Sequence, residues 1–231
     1  MREGMAIRSM GRRGWLGLLL SALPLLAVGC SGKTIDDSDP AALFKDAEAD
    51  IKNDQYLNAL EKLKTIRNKF PYSRYFAEAQ LRIADVSFLQ DSFGEAAAAY
   101  ESFRDLHPKH EKTAYAMFRI GESYSNDAPG NVARDQSSAK KAEEAYTEFL
   151  KRFPTDPQAD AARKNLAKAR STMAQKELYI GNFYLKQDQL DSAKRRFEKL
   201  IATYPDTEEA RAARDRLGEV ERARKNGDLS R

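Results

Sequence analysis

Phe70-Pro71, His107-Pro108, Phe153-Pro154 and Tyr204-Pro205 repeat one pattern, a ring side chain followed by proline. Each pair closes a stretch whose apolar residues recur at helical spacing. Counting back from the prolines aligns the chain with itself. Twelve residues before each stands Ala59, Ala96, Ala142 or Ala193, and eight before each stands Leu63, Tyr100, Tyr146 or Phe197. Twenty-four before Pro71, Pro108 and Pro205 stands Ala47, Ala84 or Gly181. The third repeat keeps its pair at Ile120-Gly121 but needs nine more residues to reach Pro154.

A small residue, a large one four later and a proline eight beyond that resemble the tetratricopeptide repeat, a helix–turn–helix unit of about 34 residues. The columns make physical sense. Small residues sit where helices approach closely, and the large residue one turn on fills the gap between neighbouring repeats. Proline ends the second helix by removing a donor and crowding the preceding turn. The fold expected is all-α, a tetratricopeptide-repeat solenoid (an α-α superhelix) of about four and a half repeats.

The chain has 231 residues, 32% charged and 42% hydrophobic, an ordinary globular balance. Its formal charge of +4 is concentrated at one end. Residues 1–29 carry Arg2, Arg8, Arg12 and Arg13 against Glu3, which leaves 35 Lys+Arg against 34 Asp+Glu elsewhere. That balance, with no basic run interleaved with aromatics, argues against a nucleic-acid partner.

The basic start is followed by a short apolar run, Trp15–Val28. Fourteen helical residues rise about 21 Å, short of the roughly 30 Å hydrocarbon core. Residues 1–29 therefore read as a secretory signal peptide. Leu26-Ala27-Val28-Gly29-Cys30 resembles the bacterial lipobox, with Leu26 one place earlier than usual. Cys30 is the single cysteine and the expected lipidation site. Ser31, rather than aspartate, follows it, which favours the outer membrane. Residues 30–39 read as a lipidated tether, 40–226 as the repeat domain and 227–231 as a tail.

Within the domain, the first repeat runs about 40–70 with its turn at Asn53-Asp54-Gln55, and the second about 73–107 with its turn at Gln90-Asp91-Ser92. Ser73, His110, Asp156 and Thr207 stand two after each proline, and three of these four are good helix caps. Residues 126–138 form a loop, read equally as a binding insertion or as a tolerated surface excursion. Residues 157–187 form one long helix or two nearly collinear ones. Leu166-Ala167 and Leu217-Gly218 look like further first-helix pairs, each 13 residues after a proline. A final helix covers about 207–225, its outer face rich in Arg and Glu.

No pattern for catalysis, phosphate binding or metal ligation is present. His107 and His110 are the only histidines, and His107 occupies the ring column as a packing residue. The chain is read as a non-enzyme without cofactors, acting through its surface. Tyr72, Tyr75 and Phe76 crowd the start of the second repeat, available to a partner or to extra packing.

The lipobox, the short tether and the repeats together resemble the BamD family, lipoproteins of the β-barrel assembly machinery. The most specific stretches are Phe70-Pro71-Tyr72-Ser73-Arg74-Tyr75 running into Ala79-Gln80-Leu81, His107-Pro108 with Tyr115, Glu177-Leu178 with Phe183-Tyr184, and Tyr204-Pro205-Asp206-Thr207. The resemblance implies an outer-membrane, lipid-anchored protein facing the periplasm, held there by its membrane anchor. It implies a β-barrel assembly subunit as partner, bound at its last POTRA domain through Arg196. It implies accessory assembly lipoproteins and unfolded outer-membrane protein substrates at the amino-terminal repeats, where Phe70 occupies the substrate-side ring position. Phe70 lacks the hydroxyl that the family often has there. The fifth repeat reads as incomplete, which implies a reduced carboxy-terminal contact surface. The alternative is a tetratricopeptide lipoprotein of another envelope system, a Tol-associated or cell-division factor or a pilotin.

Overall fold

Proline's clash with the residue before it sets the helix ends. In a computed structural model, which describes residues 38–229, the residue before each proline takes nearly one conformation. Phe70, His107, Phe153 and Tyr204 have φ of -127, -127, -132 and -128° and ψ of 55, 55, 58 and 53°. Two residues past each proline, the side chain bonds an amide leading into the next helix. Thr207 Oγ1 caps α9, accepting from Ala210 N at 3.2 Å. In the turns before the other three helices, Ser73 Oγ accepts from Tyr75 N at 3.2 Å, Asp156 Oδ1 from Gln158 N at 2.8 Å and His110 Nδ1 from Lys112 N at 3.1 Å. An unprotonated imidazole nitrogen accepts there as an oxygen does; the caps of those helices are Arg74, Lys112 and Gln158, without a side-chain bond.

The helices are α1 (Pro40–Lys52), α2 (Tyr56–Lys69), α3 (Tyr75–Leu89), α4 (Phe93–Leu106), α5 (Thr113–Asp127), α6 (Ser137–Arg152), α7 (Ala159–Lys186), α8 (Leu190–Thr203) and α9 (Glu208–Leu229). There is no strand among the described residues. Asp39 caps α1, accepting from Ala41 N at 2.8 Å ahead of a proline in the first turn. The stretch 157–187 holds one 28-residue helix, α7. The final helix, α9, runs on to Leu229, into the stretch read as a tail. The signal-peptide and Cys30 readings, and the tether up to residue 37, lie outside the described residues. No described helix is long and apolar enough to cross a membrane.

Within three hairpins, the inner turn is the same device. Asp54, Asp91 and Asp188 have φ of 57, 56 and 55°. Each follows its helix as a left-handed residue, and the next amide reaches back, Gln55 N to Asp50 O at 2.8 Å, Ser92 N to Ser87 O and Gln189 N to Tyr184 O at 3.0 Å. That is a Schellman closure, in which a short polar side chain tolerates the left-handed turn. The third hairpin, α5–α6, carries the insertion there instead.

Adjacent helices pack in sequence, and first helices also touch, α1 on α3, α5 on α7 and α7 on α9. Ala59, Ala96, Ala142 and Ala193 are wholly buried, as are Leu63, Tyr100, Tyr146 and Phe197. The large residues seat differently from the sequence expectation. A Cβ on Gly121 would lie 2.5 Å from Tyr146 Cε1, and one on Gly181 would lie 2.4 Å from Phe197 Cε1. In these two hairpins, the ring lies on the small residue of its own hairpin's first helix, not primarily between repeats. Tyr146 reaches the following helix with its hydroxyl, which accepts from Asn165 Nδ2 at 3.1 Å.

The pairs Leu166-Ala167 and Leu217-Gly218 are not used this way. Ala167 is exposed, and a Cβ on Gly218 would meet only Arg222 Nη1 at 3.6 Å. Among the described residues no ring-bearing second helix folds back on either. Ala162 and Ala169 on α7, and Ala210 and Ala213 on α9, are buried instead.

Among the described residues the core has three clusters, centred on α1–α3, on α3–α7 and on α7–α9. The long α7 serves two of them, with Ala162 and Ala169 in the second and Ala174 in the third. A buried polar group ties the early repeats. Asp85 accepts from Tyr100 Oη at 2.6 Å, from Tyr115 Oη at 2.8 Å and from Arg82 Nη1 at 2.8 Å, while Arg82 Nε also donates to Glu48 at 2.6 Å. Burial and then the Asp85 charge push the Tyr115 hydroxyl up to about 12.

His107 packs on Phe103 with ring centres 5.0 Å apart, and its Nε2 meets Gln80 Oε1 at 2.6 Å. Burial, then the neighbouring His110, holds its pKa below the usual 6.5.

Two predictions rest on this packing. In an open helix, Gly→Ala gains up to about 1 kcal/mol. Gly121→Ala and Gly181→Ala should instead cost about 1–3 kcal/mol in urea unfolding, because a ring must move. Gly94→Ala, whose Cβ would meet only Asp127 Oδ1 at 3.9 Å, is the control and should not destabilise. A stabilised Gly121→Ala would contradict this packing. The second concerns pH. A histidine with a depressed folded pKa binds more protons when unfolded, so stability falls as pH drops through 6.5 toward the folded value. His107→Phe should flatten that part of the stability-versus-pH curve. Parallel curves for the two chains between about pH 5 and 7 would remove this role.

Candidate partner-binding surfaces

The amino-terminal rings follow from the proline turn. Phe70 ends α2 half-buried against the first core cluster. Tyr75 opens α3 in the same cluster, its ring 5.4 Å from Phe44, and its hydroxyl accepts from Arg74 Nη2 at 2.6 Å. Phe76 turns edge-on to His107 at 6.0 Å. Tyr72, in the turn between α2 and α3, is fully exposed. The crowding seen in sequence resolves into packing for three of these rings and free surface for Tyr72.

At the other end, Arg196 lies on α8, directly before the wholly buried Phe197. It is half-exposed rather than free. Its Nη1 donates to Glu177 Oε2 at 3.1 Å, and Lys199 Nζ donates to the other oxygen at 2.6 Å. Glu177, on α7, is only 8% exposed. Phe70, Tyr72 and Tyr75 belong to the first two hairpins and Arg196 to the fourth, so the chain carries two separate candidate surfaces.

Between them, α5, α6 and α7 enclose a cleft of about 220 Å³. Small side chains, Ala139, Ala142 and Ala169, form its walls, and Asn126, Asn165 and Lys168 reach its polar rim. The insertion lies alongside, at residues 128–136. Gln136 is buried there and donates to Pro129 O at 3.2 Å and Asn131 O at 3.0 Å, while Lys176 of α7 donates to Arg134 O at 3.3 Å. The loop is thus folded on itself and on α7.

The fourth hairpin is tied to the third by charge. Glu143 accepts from Arg170 Nη1 at 3.0 Å and from Tyr204 Oη at 3.3 Å, and Arg170 Nη2 donates to Asp206 at 2.8 Å. Burial and the Glu143 charge push Tyr204 up to about 12. The Arg170 guanidinium holds the Asp206 carboxyl below the usual range.

Two exposed rings had no signal in the repeat columns. Tyr179 and Phe183 stand four apart on α7, about half exposed. The first half of α7 packs against α6, but its second half packs with α8 and α9, so the side that α6 would cover is open. A helix longer than its neighbour was the available signal. Leu57 and Leu106 are also exposed. Among the described residues, no group of three His, Cys, Asp or Glu converges to hold a metal ion.

Several assembly factors resemble the chain over most of its length. The outer membrane protein assembly factor BamD of Vibrio cholerae is 28% identical over 203 residues, covering 83% of this chain and 84% of that one. The BamD of a Neisseria meningitidis serogroup A strain is 28% identical over 202 residues, covering 83% and 76%. That of Caulobacter vibrioides is 26% identical over 212 residues, covering 86% and 69%. A tetratricopeptide repeat protein of known structure from Parabacteroides merdae superposes loosely, with a TM-score of 0.42 at 17% identity over 82% of this chain and 61% of that one. The model of the YfiO family, described as outer membrane lipoprotein, matches residues 36–228, nearly all of the helical array described above. The chain belongs to the YfiO family of outer membrane lipoproteins.

Proposed function

We propose that this chain is a non-catalytic, lipid-anchored scaffold of outer-membrane β-barrel assembly. The observation that carries the reading is the family match across residues 36–228, together with relatives named as outer membrane protein assembly factors. Cys30 is the lipid attachment point, and acyl chains hold the protein on the periplasmic face of the outer membrane. The surface around Arg196 grips the last POTRA domain of the barrel-forming subunit. The amino-terminal repeats, with Tyr72 as their uncovered ring, meet unfolded outer-membrane proteins and accessory assembly lipoproteins. Phe70 and Tyr75 support that surface from below. An exposed aromatic beside a proline turn suits an extended chain, which offers apolar side chains without a fixed partner surface.

Affinity purification from detergent-solubilised membranes should recover the barrel-forming subunit with this chain. Recovery without it would defeat the proposal. Arg196→Glu should weaken binding to the isolated POTRA domain by about tenfold or more, as loss of a charge-assisted contact requires; the helical circular-dichroism signal should be retained while the melting temperature falls, because a second carboxylate then faces the buried Glu177. An unchanged affinity would remove Arg196 from the interface. Cys30→Ala should move the protein from the membrane to the soluble periplasmic fraction, and retention on the membrane would exclude lipid as the anchor.

A further inference from the structure

We infer that Glu177 is the positioning residue of the Arg196 surface and that Lys199 is its second cation. The inference rests on the proposal that the surface around Arg196 grips the barrel-forming subunit. Each Glu177 oxygen is held by a different cation, Oε2 by Arg196 and Oε1 by Lys199. Side-chain exposure is graded, 10% for Glu177, 36% for Arg196 and 56% for Lys199. The carboxylate therefore forms the floor and the two cations stand over it.

Burying a carboxylate is unfavourable unless it is paired, so Glu177 holds both cations in place. Arg196 spends only Nη1 on this contact. Its Nη2 and Nε have no partner among the described residues and present one planar two-donor edge. Among the described residues Lys199 engages Glu177 alone, and an ammonium keeps donors to spare. The cluster sums to one positive charge. A two-donor guanidinium edge beside an ammonium fits a carboxylate, so the partner group is an aspartate or glutamate side chain. Because the cations are already ordered, less side-chain freedom is lost on binding.

A simpler view is that Glu177 competes with the partner for Arg196. The two views differ in sign. Glu177→Gln raises the local charge by one, so a competitor's removal tightens binding, whereas a positioner's removal weakens it. Charge acts mainly on the association rate and fit mainly on dissociation.

The test immobilises the full mature chain in detergent and flows the purified periplasmic domain of the barrel-forming subunit over it. Glu177→Gln should raise the dissociation rate roughly three- to tenfold while the association rate stays equal or rises. Lys199→Gln should lower the association rate and raise the dissociation rate. Tighter binding or an unchanged dissociation rate in Glu177→Gln overturns the inference. Both cations reach solvent, so that variant should melt close to the unsubstituted chain. If it does not, Lys199→Gln decides alone, and unchanged kinetics there overturns the inference. Loss of binding in Arg196→Glu with tightening in Glu177→Gln sinks the inference but spares the proposed function. No binding by the unsubstituted chain, or none lost in Arg196→Glu, sinks the reading beneath it.

Discussion

A ring lying on a residue with no side chain sets the geometry of the hairpins from α5 to α8. Tyr146 occupies the space that a Cβ on Gly121 would need, and Phe197 does the same at Gly181. That contact fixes how closely the two helices of each hairpin approach and where along their length they cross. The first two hairpins keep the same columns with milder partners, Ala47 with Leu63 and Ala84 with Tyr100, all wholly buried. Everything outward depends on this register. It brings Glu177 of α7 beneath Arg196 and Lys199 of α8, and Asp85 of α3 beneath Tyr100 and Tyr115.

Much of this was legible in the sequence because it is local. A proline, a ring before it and a turn-bonding residue two after it are read within a few residues, and all four copies behave alike. The inner turns at Asp54 and Asp91 were visible for the same reason, and the structure adds a third of the same form at Asp188. Local rules also misled. Leu166-Ala167 and Leu217-Gly218 fit the spacing of a first helix, but a small residue matters only when a ring arrives from elsewhere. His110 falls outside the usual turn-bonding residues because the preference is stated for oxygens, yet its imidazole nitrogen accepts from Lys112 N ahead of the next helix.

The candidate surfaces were less legible, since exposure is a property of the whole array. Tyr72 and Tyr75 look equivalent in sequence, three residues apart beside one proline. Only packing separates the fully exposed ring from the one resting on Phe44. Arg196 could be picked out by resemblance, but its state could not. Its partner Glu177 lies 19 residues away, on the preceding helix, and that pairing follows from the seat of Phe197 on Gly181.

The long α7 joins the two ends of the molecule. It contributes to the core shared with the early repeats and to the one that carries α8 and α9. The proposed scaffold for two kinds of polypeptide needs surfaces that stay separate, and Tyr72 and Arg196 lie on different hairpins. The most direct measurement of that division is photo-crosslinking in intact cells, with a photoreactive phenylalanine in place of Tyr72 or of Arg195, the exposed residue one turn before Lys199 on α8. The account predicts that the Arg195 position captures the barrel-forming subunit and that the Tyr72 position captures other polypeptides. Capture of the same partner from both positions, or of none from Arg195, would contradict it.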